Sequence, residues 1–328
     1  MLPEGGVKGR GLAYSGSRIL EYQTALALEA ENDYQRIERI QNVCMQMKTS
    51  WQGKIARAIP SIPEKPVWSK FSATDEYREL QQRKDYIPVG YDMENAEFYG
   101  IPLREMFCYL VCGSARTGKT NFMKVFIQAV LDKKAITCII DGPDKKLQSY
   151  RNCEEMTYLA TEEEIDHYFG NVLTPLFQIR NARKKAMLNE DYEESEIYEE
   201  MSKEKPHFIF ISDMAWFIKM VYTSGLKKNM NGFLENIISL GRLHNIYFVA
   251  ELALNKVSEV KGYQVFEFFA GYKTGIHFGG KVSENTLLPF EHMQYKEKVA
   301  VDKIGIGSIA VVDEHHKTQK IVVPLARK

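Results

Sequence analysis

The chain has 328 residues, enough for one large domain or two small ones, and its 45% hydrophobic and 26% charged content is that of an ordinary globular protein. Its 43 Lys and Arg residues balance 43 Asp and Glu, which argues against a general nucleic-acid or membrane-surface binder, since both depend on excess basic charge. No apolar run reaches the ~20 residues that cross a bilayer, no signal-peptide pattern opens the chain, and its cysteines read as free thiols in a cytosolic setting.

Residues 1–57 are too few and too polar to form a domain. Gly5, Gly6, Gly9 and Gly11 suggest a loop, and residues 18–26 read as a short strand. Asn32 can cap a helix with Gln35 as its reciprocal partner, and Tyr34, Ile37, Ile40, Cys44 and Met47 then line one helical face. A lone strand and an amphipathic helix need a partner surface, so this segment is expected to be the tail of a preceding domain or an arm folded on its own domain. Pro60, Pro63 and Pro66 favour extended backbone, and residues 58–84 are read as a linker; an SH3-type ligand is the sharper alternative.

From about residue 85 apolar strand-like runs alternate with helical patterns. The strands are predicted over 106–112, 135–141, 207–213, 246–250 and 275–278. Phe122, Val125, Phe126, Ala129 and Val130 recur at helical spacing, and Thr161 with Glu164 forms a capping box ahead of a second helix. Near-continuous apolar strands separated by helices imply an α/β fold, a mainly parallel sheet covered on both faces. Residues 309–313 and 321–324 read as a closing β-hairpin. The acidic run at 190–204 reads as a solvated insertion, with an acidic docking surface as the alternative.

The chemistry-bearing motif is Gly113, Ser114, Ala115, Arg116, Thr117, Gly118, Lys119 and Thr120, a phosphate-loop pattern that follows a strand and opens a helix. Backbone N–H groups of such a loop form an anion nest that side chains at the glycines would obstruct. The helix N-terminus behind it favours negative charge. Lys119 is placed to reach the outer phosphates and Thr120 to ligate Mg²⁺, with Asn121 completing the nucleotide-contacting set. The expected fold is therefore an α/β P-loop NTPase at residues 85–328 whose loop holds the phosphates of ATP. Asp213, ending an apolar strand, is the expected second carboxylate for the metal, with capping of the next helix as its plain structural role. Met214 follows where an active NTPase of this class places a water-activating glutamate, and it cannot accept a proton. Lys119, Asp213 and Glu251 remain the candidates for any catalytic role.

Together these features resemble the FtsK/SpoIIIE-type ATPases, and within them the EssC/EccC ATPases of type VII secretion. The resemblance rests on the phosphate loop, on residues 87–92, 172–177 with Arg180, 241–246 and 271–280, and on Gly305 with Gly307. Residues 18–26 and 58–63 look like the join between consecutive ATPase modules, which would make this the last module of a longer membrane-anchored protein. The resemblance implies a RecA-like core, ATP and Mg²⁺ as cofactors, helical-hairpin secreted proteins of the WXG type as substrates, adjacent modules of the same chain as partners and a homo-hexamer of the full-length protein. It also implies a place on the cytoplasmic side of the membrane, which is reached only through upstream segments. Two departures, Met214 and the run 249–252 with Glu251 where the family has a different polar sensor, put rapid hydrolysis in doubt while leaving nucleotide binding intact. A working motor ATPase with Glu251 as replacement carboxylate, and a DNA translocase, are the alternatives.

Smaller candidates have plain structural readings. Glu314, His315 and His316 read as a polar turn rather than a metal site. Arg242 reads as a cation near a helix C-terminus, or as an arginine finger for a neighbouring subunit. Trp216, Phe217 and Tyr222 read as core packing or an aromatic partner patch.

Overall fold

The computed structural model describes residues 9–15, 18–25, 28–53, 60–223, 230–291, 293–310 and 319–326. The chain divides into two compact units, Met1–Ile59 and Pro60–Lys328.

In the first unit, β1 (Arg10–Ser15) and β2 (Arg18–Gln23) form an antiparallel hairpin, where the sequence suggested one lone strand. The helix α1 (Asp33–Ser50) follows. The Asn32 side chain accepts the Gln35 N–H at 2.9 Å, but Gln35 turns its amide to Glu31, so the expected reciprocal box is only half made. No residue of α1 is buried, and Tyr34, Ile37 and Met47 stand exposed.

The stretch expected as a linker is folded onto the second unit over most of its length. Val67 bridges Leu325, and α2 (Trp68–Phe71) and α3 (Asp75–Gln82) follow. The prolines keep residues 60–66 out of a helix, but Trp68, Phe71 and Tyr77 carry too much apolar surface to stay wet and bury themselves in the core. The Tyr77 hydroxyl also donates to the Asp132 carboxylate at 2.7 Å.

The main elements then run β3 (Tyr86–Asp92), β4 (Phe98–Pro102), β5 (Cys108–Gly113), α4 (Lys119–Asp132), β6 (Ile136–Ile140) and β7 (Thr157–Leu159). Next come α5 (Glu162–Tyr168), a π-helical turn at Phe169–Leu173, α6 (Thr174–Asn189), α7 (Glu194–Met201), β8 (His207–Ile211), α8 (Met214–Thr223) and α9 (Met230–Ser239). The last strands are β9 (Ile246–Ala253), β10 (Thr274–Phe278), β11 (Ile306–Ala310) and β12 (Gln319–Val322). Thr161 and Glu164 make the capping box of α5 as expected. The ten strands form one sheet in the order β4-β3-β12-β11-β10-β5-β9-β8-β6-β7. From β10 to β7 every neighbour is parallel, and β11, β12, β3 and β4 extend the sheet antiparallel, with β11 and β12 as the closing hairpin.

Helices cover both faces. Phe122 and Phe126 of α4 pack on Tyr109, Phe208, Phe210 and Phe278 on one side, with Phe126 and Phe210 ring centroids 5.5 Å apart. On the other side α5, α8 and α9 bury Ile165, Phe217, Ile218, Leu234 and Ile237. Phe217 is thus a core residue, while Trp216 and Tyr222 are half-buried against the same cluster. The acidic run is packed as well: Ile197 and Met201 of α7 are buried, and Glu204 pairs with Arg180 and Arg183. Arg180 in turn donates to the carbonyls of His244 and Asn245, tying α6 to the segment entering β9.

Candidate functional site

The segment between β5 and α4 is shaped by its glycines and braced by the strand beside it. Gly113 has φ 136°, and a Cβ there would collide with the Phe278 carbonyl. Gly118 has φ 113° and caps α4 without a side-chain bond, leaving the first N–H groups of that helix uncapped by any side chain. The Ser114 N–H donates to the Phe278 carbonyl at 3.1 Å, and the Gly305 N–H donates to the Thr117 carbonyl at 3.1 Å. The Thr117 hydroxyl lies 2.9 Å from the carbonyls of both Ser114 and Phe278. Ala115 and Arg116 form the exposed tip, Arg116 in the left-handed region at φ 60°.

Lys119 opens α4 and is only 5% exposed. Its ammonium donates to the Ser114 carbonyl across the loop, and no carboxylate among the described residues pairs with it. Burial lowers its proton affinity, and the field of Glu251 opposes that effect. Asn121 differs from its neighbours: its side-chain amide is engaged by the Pro324 carbonyl and the Ala326 N–H.

The two candidate carboxylates come from different strands. The strand that leads to Asp213, β8, is not next to the phosphate-loop strand, because β9 lies between β5 and β8. Glu251 sits on that intervening strand, paired with Val111 of β5, and is 5% exposed. Its Oε2 accepts the Thr120 hydroxyl at 3.1 Å, and its Oε1 accepts the Lys146 ammonium at 2.8 Å. Asp213, just past β8, accepts the Trp216 N–H at 3.1 Å and the Lys256 ammonium at 2.7 Å. Burial pushes its carboxyl upward, yet these donors hold it below the usual range; the same pairing raises Lys256. The capping role of Asp213 is thus made, and its second oxygen is held by Lys256. Met214 is fully buried at the start of α8.

Lys146 and Lys256 were not singled out from the sequence. Each follows a strand at the carboxyl end of the sheet, which is the one signal that could have found them. Behind Lys146, Asp141 accepts the Ser212 hydroxyl at 2.6 Å and the Leu147 N–H at 3.0 Å, fixing the turn that carries the lysine. Arg242 pairs with Glu194 at 3.7 Å, three residues past α9. Glu314, His315 and His316 lie outside the described residues. Among the described residues no group of three His, Cys, Asp or Glu is placed to hold a metal by itself, and Cys108, Cys112 and Cys138 are buried free thiols.

No family model matches the chain. It is 27% identical over 167 residues to the ESX secretion system protein EccC of Geobacillus thermodenitrificans, covering 50% of this chain and 11% of that protein. Among solved structures, the cytoplasmic domain of EssC superposes with a TM-score of 0.68 at 21% identity, over 97% of this chain and 58% of that one. Thermomonospora curvata EccC (ATPases 2 and 3), in complex with a signal sequence peptide, superposes at 0.54 with 16% identity, over 99% of this chain and 54% of that one. The chain is a relative of the type VII secretion ATPases of the EccC and EssC kind, shares their fold, and spans 11% of the length of the first of these relatives.

Proposed function

We propose that the chain is an ATP-binding module of a type VII secretion ATPase, one that hydrolyses slowly and recognises secreted helical-hairpin proteins. The observation that carries the nucleotide reading is Lys119: a buried ammonium with no carboxylate partner among the described residues, at the mouth of a glycine-built loop and a helix N-terminus. An unpaired buried cation is costly, and a polyphosphate is the ligand that such a loop accommodates. Ala115, Arg116, Thr117 and Gly118 supply backbone N–H groups, Gly113 and Ser114 hold the loop against the Phe278 carbonyl, Lys119 supplies the charge, and Thr120 a hydroxyl. Asn121 contributes its main-chain N–H, because its side chain is held elsewhere. The oxygen donors Thr120, Asp213 and Glu251 suit Mg²⁺, which supplies charge neutralisation at the phosphates when bound. Thr120 would hold it directly and Asp213 through water.

What surrounds the loop supports the slow-turnover reading. Met214 offers no base, and both oxygens of Glu251 are engaged, which weakens the motor reading that needs Glu251 to activate water. The substrate reading draws its support from the related EccC structure with a signal sequence peptide. Adjacent ATPase modules, a hexamer of the full-length protein and a place at the cytoplasmic face of the membrane belong to the same proposal. Melting the protein with and without Mg·ATP, together with a steady-state assay, tests it. A raised melting temperature with turnover far below the ~1–10³ s⁻¹ usual for enzymes is expected. No thermal shift, or turnover within that range, contradicts it.

A further inference from the structure

The conventional expectation for a phosphate-loop site gives its second carboxylate to the strand end that here carries Asp213. The hydrogen bonds point elsewhere. Both oxygens of Asp213 are engaged away from the loop: one caps α8 through the Trp216 N–H, and the other pairs with Lys256. The carboxylate that touches the loop is Glu251, through the Thr120 hydroxyl at 3.1 Å. That contact has a direct consequence for a cation. A hydroxyl has one proton and two lone pairs, and one that gives its proton to a carboxylate keeps its lone pairs for a metal. The Thr120 hydroxyl, its proton directed to Glu251, would thus keep its lone pairs for a divalent ion, in the way that outer partners orient metal ligands generally.

Lys146 makes this arrangement sustainable. Burying a carboxylate without a partner is costly, and here the Lys146 ammonium lies 2.8 Å from Glu251 Oε1 and also reaches the Ser212 carbonyl at 3.3 Å. The result is a continuous polar chain from the end of β6 across β8 and β9 to the first turn of α4.

We propose that Glu251, with Lys146 as its counter-ion, is the positioning carboxylate that couples Mg²⁺ to nucleotide binding, and that Asp213 contributes less to this coupling. The proposal rests on the nucleotide-binding reading above. It is tested by calorimetric titration of ATP in Mg²⁺ and in EDTA, the ratio of the two dissociation constants measuring the metal's contribution. In Glu251→Gln that ratio falls tenfold or more while affinity in EDTA is kept or raised, because a negative charge beside the phosphates is gone. Asp213→Asn lowers the ratio less. Since Glu251→Gln takes the carboxylate partner from the half-buried Lys146 ammonium, the double variant Lys146→Met with Glu251→Gln is measured beside it and shows the same loss. An Asp213→Asn loss equal to or greater than that of Glu251→Gln overturns the proposal, as does a double variant with the wild-type ratio. A wild-type ratio near one also overturns it, with ATP binding left standing. Failure of the wild type to bind ATP in either buffer removes the nucleotide reading itself.

Discussion

Met214 and Gly113 show how single side chains set what the site can do. A carboxylate introduced by Met214→Glu would enter a fully buried position within the apolar cluster under β8 and β9. An unpaired buried charge costs several kcal/mol or is protonated, so this variant is expected to melt well below the wild type in a thermal scan. An unchanged melting temperature would show that the side chain finds water or a partner. Gly113→Ala is expected to abolish ATP binding and lower stability together, because its Cβ collides with the Phe278 carbonyl and its φ of 136° disfavours any side chain. Calorimetry and a melting curve on the same sample check both effects.

At the scale of elements, α4 links the site at its first turn to the core beneath it. Phe126 is fully buried, with its ring 5.5 Å from Phe210 and 6.1 Å from Phe208. Truncation by Phe126→Ala is expected to cost about 3–5 kcal/mol in a urea titration. Much of this was legible from sequence: α4 showed in its apolar spacing, five parallel strands in their apolar runs, and the phosphate loop in its glycines. The rest depended on contacts that no local pattern encodes. Lys146 reaches Glu251 across 105 residues and Lys256 reaches Asp213 across 43, so strand order alone brings those charges together. The prolines of residues 60–66 correctly excluded a helix there, but the buried aromatics after them outweighed the linker reading. The hairpin partner of β2 gave no strong apolar alternation and was missed.

A pH dependence belongs to the helix–sheet interface. Burial holds His207 down at about 4, with the Arg180 charge adding to the effect, and burial holds His244 down at about 4, with the Lys184 charge adding to it. The unfolded state then binds protons that the native state refuses. Stability from these two groups is complete above the ordinary histidine value of about 6.5 and is lost as pH falls from there towards 4. Urea midpoints are expected to fall between pH 7.5 and 5. A midpoint constant across that window would contradict the buried neutral histidines.

For the whole molecule, the balance of 43 basic and 43 acidic residues provides no long-range steering field. Binding of a helical-hairpin substrate is therefore expected to change little between low and physiological salt. Binding of duplex DNA would weaken by powers of ten over the same range. Titrating both at two salt concentrations separates a secretion module from a DNA translocase, and tight, steeply salt-dependent DNA binding without substrate binding would reverse the assignment. The nucleotide site stands underneath every such reading. Its most direct test is a calorimetric titration of ATP with Mg²⁺ into the wild type and into Lys119→Ala. The expected result is saturable binding by the wild type and affinity weaker by an order of magnitude or more in the variant. Equal affinity in the two proteins would contradict a phosphate site at this loop.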